Sequence, residues 1–304
     1  MKRILFLVFL CCSATLVSCH GEDIISQFDN HPLPVGEKHL KVLSIGNSYL
    51  SYGTDFLPQI TYDLQLDQTT FSVYLALKIG ASLMDWWHCV VEEEQLQLMH
   101  RAGAKMPVAE GTLKELIAQD WDVITLQQYS GDADSYRTFL PYLRYLLNMI
   151  RERCKNPNVA VVWNMAWSYA ELYGDNESTL QRWERISQTT QQMMRLDGID
   201  ILVPTGTAIQ NARQTWLNTP SDLTIDGTHP DLGVGRYIAS CTYFQALFAP
   251  VYGVSIVDDK QFTYIVPEEQ ARYPFASVSV TDENRALCHQ CVLNAILQPF
   301  KVAM

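Results

Sequence analysis

The chain has 304 residues, of which 48% are hydrophobic and 18% charged, which is enough apolar material for a sizeable core and too much for a disordered chain. Its formal charge is -11 and no run of Lys or Arg offsets it locally, so phosphate backbones and anionic headgroups are repelled and nucleic-acid binding is not expected. No Gly-rich phosphate loop, dinucleotide fingerprint or internal repeat is present, and no cofactor is expected.

The first residues address the chain. Lys2 and Arg3 precede a short apolar run, Ile4 to Leu10, too short to span a membrane and suited to an export signal. The sequence Leu16-Val17-Ser18-Cys19 resembles a bacterial lipobox. That resemblance implies lipidation of Cys19 and anchorage to the cell envelope, in the periplasm or at the cell surface, with the membrane met only through the anchor. An ordinary signal cut nearby, or at Cys11 or Cys12, is the competing reading. Residues 1–19 are thus read as signal, 20–40 as a polar tether carrying Pro32 and Pro34, and 41–304 as the working domain.

From Lys41 onward, strand-like and helix-like runs alternate. Strands are expected at Lys41 to Ile45, Phe71 to Ile79, Asp122 to Leu126, Val159 to Trp163 and Asp200 to Val203. Helices are expected at Thr54 to Leu66, Ser82 to His100, Leu113 to Ala118, Tyr136 to Arg153, Thr179 to Arg195, Asp231 to Phe248 and Asp282 to Leu297. Such alternation argues for βα units and a parallel sheet. Phe262, Tyr264, Tyr273 and Phe275 read as surface packing, with an aromatic hairpin or loop over the site as the alternative.

Two segments carry chemistry. Ser48, in Gly46-Asn47-Ser48, follows the first strand, where a short turn can present its hydroxyl at the sheet edge. A serine hydroxyl needs a neighbouring base to become a nucleophile; without one the segment is a turn and helix cap. Asp226-Gly227-Thr228-His229-Pro230 offers such a base. Asp and His three residues apart can place the carboxylate on one imidazole nitrogen and leave the other for a serine.

Together, Gly46-Asn47-Ser48 after the first strand and Asp226-x-x-His229 before the last helix of the α/β unit resemble the SGNH (GDSL-like) hydrolase superfamily, over roughly Lys41 to Phe248. The resemblance implies a flavodoxin-like three-layer α/β/α sandwich with a mostly parallel central sheet. It also implies an esterase acting on acyl groups, often O-acetyl groups on carbohydrate, with Ser48 as nucleophile, His229 as base and Asp226 orienting it. The second block corresponds to Gly80, whose N–H would join that of Ser48 in an oxyanion hole. The third block departs from the family's Gly-x-Asn-Asp: the strand ends in Gln127-Gln128, and either amide could donate to the oxyanion.

Further residues are candidates to line a substrate pocket. Tyr49 follows the nucleophile; Trp87 and His88 follow Gly80; Trp163, Asn164 and Trp167 end another strand, where aromatic faces suit sugar rings. Core packing competes for each tryptophan. No ligand set for a metal is found. The lone Cys288-x-x-Cys291 lacks a second pair, Glu92 to Glu94 reads as a solvated face, and the five cysteines left after the signal are odd in number, so they are not a simple disulfide framework. An O-acyltransferase using the same residues and a non-catalytic carbohydrate-binding lipoprotein are the rival functions.

Overall fold

Short β-branched and apolar runs bounded by turn residues form the sheet. The computed structural model describes residue 33 and residues 39–107, 110–173, 177–195, 198–218, 222–270 and 276–303. Residues 1–19, read as a signal ending at Cys19, most of the segment read as a tether, and Tyr273 and Phe275 lie outside the described residues. Leu33 is buried in the core, and His39 is hydrogen-bonded to the Thr69 carbonyl (2.7 Å) and the Ser72 hydroxyl (2.6 Å), so the end of the segment read as tether is docked on the domain.

The strands are β1 (Leu40–Gly46), β2 (Phe71–Leu77), β3 (Gln95–Gln97), β4 (Met99–Gly103), β5 (Glu110–Thr112), β6 (Val123–Leu126), β7 (Ala160–Asn164) and β8 (Ile201–Val203). The main sheet runs β4-β2-β1-β6-β7-β8 and is parallel except for β4, while β3 and β5 form a separate antiparallel pair. Val42 to Gly46, Phe71 to Ala76 and Val123 to Leu126 are all buried, as expected of strands covered on both faces.

The helices are α1 (Ser48–Gly53), α2 (Leu57–Asp63), α3 (Leu83–Val91), α4 (Leu113–Ile117), α5 (Tyr142–Arg153), α6 (Thr179–Met194), α7 (Thr205–Arg213), α8 (Val234–Leu247), α9 (Ala249–Tyr252) and α10 (Asp282–Leu297). Helices α1 and α2 pack against α8, which packs against α10, whereas α3 and α4 pack against α5. Sheet and helix layers make a three-layer α/β/α sandwich. Almost every residue of α8 is buried, which marks it as the helix enclosed between sheet and outer helices. The Ser44 and Tyr243 hydroxyls, 2.7 Å apart, join β1 to α8 inside the core. Among the described residues no helix is long and apolar enough to cross a membrane.

The chain leaves β1 to one side for β2 and returns on the other side of β1 for β6. Loops leaving strands at such a reversal part towards opposite faces and open a crevice at the strands' carboxyl ends. Ser48 follows β1 and Gln127 follows β6, so both stand at that crevice.

Some expected elements differ. The helix expected over Ser82 to His100 ends at Val91, after which the chain turns at Glu93 (φ +53°) and forms β3 and β4. Glu94 and Glu93 are drawn to Lys78 and Lys114, and Gln95 to Met99 alternates exposed and buried, which is strand periodicity. The helix expected from Tyr136 starts at Tyr142, behind Pro141. The single helix expected over Thr54 to Leu66 is α2 alone, preceded by α1, and α7 has no counterpart among the expected elements.

Candidate active site

Ser48 stands at the first position of α1, where a backbone N–H has no partner within the helix. Asn47 caps that helix: its Oδ1 accepts from the Tyr49 N–H at 3.0 Å. Gly46 is required by close approach, since a Cβ there would lie 2.9 Å from Gln127 Cγ. Without that Cβ, the Gln127 side chain folds over the end of β1 and its Nε2 donates to Asn47 Oδ1 at 2.6 Å.

The loop bearing His229 is closed on itself. Ile225 N–H donates to the His229 carbonyl (2.9 Å) and Ala170 N–H to the Gly227 carbonyl (2.8 Å). Gly227 has φ +89°, and a Cβ there would fall 2.5 Å from a ring carbon of Tyr173. Asp226 Oδ1 accepts from the backbone N–H groups of Thr228 (2.9 Å) and His229 (2.8 Å) and from the Thr228 hydroxyl (2.9 Å). Asp226 Oδ2 accepts from His229 Nδ1 at 2.6 Å.

Across this loop, His229 Nε2 lies 2.8 Å from Ser48 Oγ, 181 positions away in sequence. A carboxylate only accepts, so Nδ1 carries the imidazole hydrogen and Nε2 of the neutral ring accepts from the serine hydroxyl. Partial burial works against the charge on Asp226, but the bonds from His229 and Thr228 outweigh it and hold the carboxyl at about 2. Such an array can take a proton from Ser48 and return it.

The other candidates divide. Tyr49 is buried; its ring stacks on Trp167 at 3.8 Å and its hydroxyl donates to the Thr228 carbonyl at 2.7 Å. Trp167 Nε1 donates to the same carbonyl at 2.8 Å. Trp167 is therefore a buttress with 1% exposure, not a sugar platform, and Trp163, 2% exposed, is core packed on Phe139. Trp87 and His88 turn towards Tyr145 and Tyr142 of α5. Gly80 is exposed with φ +67° and open space where a Cβ would stand. Asn47 reaches the turn beside it, Nδ2 donating to the Ala81 carbonyl at 2.9 Å.

The two glutamines also separate. Gln128 Oε1 accepts from the N–H groups of Leu83 and Tyr129, and its Nε2 donates to the carbonyl and hydroxyl of Thr138, so its amide is committed to joining α3 to the loop after β6. Gln127 Nε2 donates to Asn47 and keeps a second hydrogen. Sequence reasoning missed Thr205, whose hydroxyl donates to Asn164 Oδ1, and Tyr52, whose ring meets the His229 ring edge-on at 5.1 Å with the Arg236 guanidinium over its face. Tyr52 is recoverable from spacing, being one helical turn after Ser48.

The Ser48–His229 array lines neither of two concavities elsewhere on the molecule. A groove of about 530 Å³ runs along α6, beside Trp183, Gln188 and Phe300. Another, of about 400 Å³, lies near Lys41 and Asp122, at the amino ends of β1 and β6. Chemistry rather than volume identifies the site. Among the described residues no cluster of three His, Cys, Asp or Glu side chains could hold a metal ion, and Cys288 and Cys291 are buried free thiols.

A family described as "Domain of unknown function (DUF4886)" matches residues 41–263. The chain belongs to the DUF4886 family. A crystal structure of a DUF4886 family protein from Bacteroides uniformis superposes with a TM-score of 0.69 at 24% identity, covering 87% of this chain and 97% of that one. The DUF4886 fold is therefore shared with a solved relative. An acetyl xylan esterase from Geobacillus stearothermophilus, solved as a single-residue variant, aligns at 14% identity with a TM-score of 0.42, over 68% of this chain and 94% of its own. No curated protein matches the sequence at a significant level.

Proposed function

We propose that this DUF4886 protein is a serine esterase of the SGNH type, with Ser48 as nucleophile, His229 as general base and Asp226 as the group that orients it. The observation that carries the reading is the continuous pair of bonds, Ser48 Oγ to His229 Nε2 at 2.8 Å and His229 Nδ1 to Asp226 Oδ2 at 2.6 Å, at the crevice where the strand order reverses.

In the proposed reaction, His229 Nε2 takes the Ser48 proton as Oγ bonds to the ester carbonyl carbon. The Ser48 and Gly80 N–H groups and the Gln127 amide stabilise the oxyanion. The imidazolium returns the proton to the departing alcohol as the ester bond breaks. Water, deprotonated by the same nitrogen, then releases the acid from Ser48. The substrate class, an O-acetyl ester on carbohydrate, follows from the resemblance of the sequence blocks; a working domain spanning residues 41–304 is part of the same proposal and is supported by the lack of a linker-like break from Lys41 to Phe248. Export and lipid anchorage at Cys19 belong to the same proposal and rest on the pattern from Lys2 to Cys19.

Hydrolysis of an activated acetyl ester by the purified domain tests the activity. Wild type should turn over, and Ser48→Ala and His229→Ala should not. Turnover that survives both substitutions contradicts the proposal. For the anchor, Cys19→Ala should move the protein from the membrane to the soluble fraction.

A further inference from the structure

A chain of buried side-chain amides crosses the carboxyl ends of four parallel strands beneath the nucleophile. The register pairs Ile45 with Leu126 and Leu126 with Trp163, which sets Gly46, Gln127 and Asn164 in one row across β1, β6 and β7. Thr205 follows β8 in the next position but one. Thr205 Oγ1 donates to Asn164 Oδ1 at 2.8 Å, and Asn164 Nδ2 donates to Gln127 Oε1 at 3.4 Å. Gln127 Nε2 donates to Asn47 Oδ1, and Asn47 Nδ2 donates to the Ala81 carbonyl. Asn47, Gln127, Asn164 and Thr205 are all at most 5% exposed.

The backbone fixes the direction of this chain. An N–H can only donate and a carbonyl only accepts, so the Tyr49 N–H and the Ala81 carbonyl allow Asn47 one orientation, with Oδ1 towards Tyr49. That oxygen requires the Nε2 end of Gln127 to face it, which turns Gln127 Oε1 towards β7. There Asn164 must offer its Nδ2, and its own oxygen is left for the Thr205 hydroxyl. Four buried polar groups cost desolvation free energy that packing alone does not need, since apolar residues could fill the row. Their common product is a Gln127 amide locked with nitrogen towards β1 and the Ser48 turn.

We infer that Asn164 is a positioning residue for the proposed oxyanion hole: it holds Gln127 Oε1 on the β7 side and so keeps the second Nε2 hydrogen of Gln127 available to the reacting ester oxygen. This rests on the esterase reading above and adds to it Asn164, with Thr205 behind it. Replacing Asn164 with Asp sets a carboxylate against Gln127 Oε1 and favours the flipped amide, which presents an acceptor where a donor is needed. Replacing it with Ala leaves Gln127 Oε1 buried without a donor.

The test measures kcat and KM separately for an activated acetyl ester, on the full domain, in Asn164→Ala, Asn164→Asp, Thr205→Val and Thr205→Ser. A lost oxyanion donor lowers kcat by roughly 100-fold, so Asn164→Asp should approach that loss with KM changed by less than about threefold, and Asn164→Ala should lose less. Thr205→Val, nearly isosteric and suited to a buried site should the Asn164 variants fail to fold, should lower kcat several-fold, and Thr205→Ser should restore it. Wild-type kcat in folded Asn164→Asp or Thr205→Val, or a rise in KM with kcat unchanged, overturns the inference while leaving the esterase reading standing. A wild type without turnover overturns both.

Discussion

The Tyr49 hydroxyl donates to the carbonyl of Thr228 at 2.7 Å, joining the residue after Ser48 to the residue before His229. Trp167 Nε1 reaches the same oxygen at 2.8 Å, and its ring lies flat against that of Tyr49, with 4° between the planes. Both lone pairs of one carbonyl are thereby used, and the two halves of the site, distant in sequence, are set against each other by rigid aromatic donors rather than by the Ser48–His229 bond alone.

Tyr49→Phe keeps the stacked ring and removes one donor. Stability should fall by about 1 kcal/mol, the net value of one hydrogen bond. Because the Thr228 carbonyl beside His229 loses one of its two donors, kcat should fall by between ~10- and ~100-fold with KM nearly unchanged. Thermal unfolding and steady-state kinetics check the two effects separately.

Trp167→Ala separates a buttress from a substrate platform. Removing a fully buried tryptophan should cost about 3–5 kcal/mol, so the melting temperature should drop sharply together with activity on every ester. A platform would instead show a raised KM for a sugar ester and unchanged stability. Trp163→Ala should behave in the same way, being packed on Phe139 in the core.

Gly227→Ala should be damaging out of proportion to its one methyl group. At φ +89° an L side chain is strained by ~1–3 kcal/mol, and its Cβ would strike Tyr173. The loop must shift, and with it the Asp226–His229 geometry. Activity should fall more than in Tyr173→Ala, and because alanine keeps the Tyr173 Cβ, itself 2.6 Å from where a Gly227 Cβ would stand, the double variant should recover little of the loss.

The pH behaviour follows from Asp226. Burial opposes its ionisation, yet the bonds from His229 and Thr228 hold its carboxyl at about 2, so it is charged throughout the range in which an imidazole titrates. Protonation of Asp226 should therefore contribute nothing to the acid limb of log kcat/KM above about pH 4. A folded-state value below the ordinary carboxylate range means that the stability this group lends is complete above about pH 4 and is lost as pH falls towards 2. That contribution is small, because the side chain is half exposed. Asp226→Asn should lower kcat by up to ~10⁴ by turning the imidazole to the wrong tautomer.

Much of this architecture was legible in the sequence for identifiable reasons. The parallel strands announce themselves as nearly continuous apolar runs, broken only by residues such as Ser44, Ser72 and Thr125, because both their faces are covered. Asp226 and His229 fall close together because one loop supplies both. The stretch from Glu92 to Gly103 was harder: its turn depends on a left-handed Glu93, and its edge strand is short and carries His100 and Arg101. Helix α7 was hidden because Thr205 to Arg213 is short and opens on Thr-Gly-Thr, residues of low helix propensity, with polar side chains that the fold buries.

Among the site residues, side-chain direction was the missing information. Gln127 and Gln128 are equivalent on paper, yet successive strand-end residues point to opposite faces, so one reaches Asn47 and the other Thr138. Trp163 and Trp167 sit near the expected edge but face inward, where their area contributes most to packing. In the sequence Asn164 reads only as a neighbour of Trp163 and Trp167; its hydrogen bonds to Gln127 and Thr205 depend on the strand register, which no local pattern reveals.

The account stands most directly on whether Ser48 is an activated nucleophile. Exposing the purified domain to a fluorophosphonate and mapping the adduct by peptide mass spectrometry measures this without knowledge of the natural substrate. A single adduct on Ser48, absent from His229→Ala, is the predicted result. Labelling at another residue, or an unlabelled Ser48 in folded wild-type protein, would contradict it.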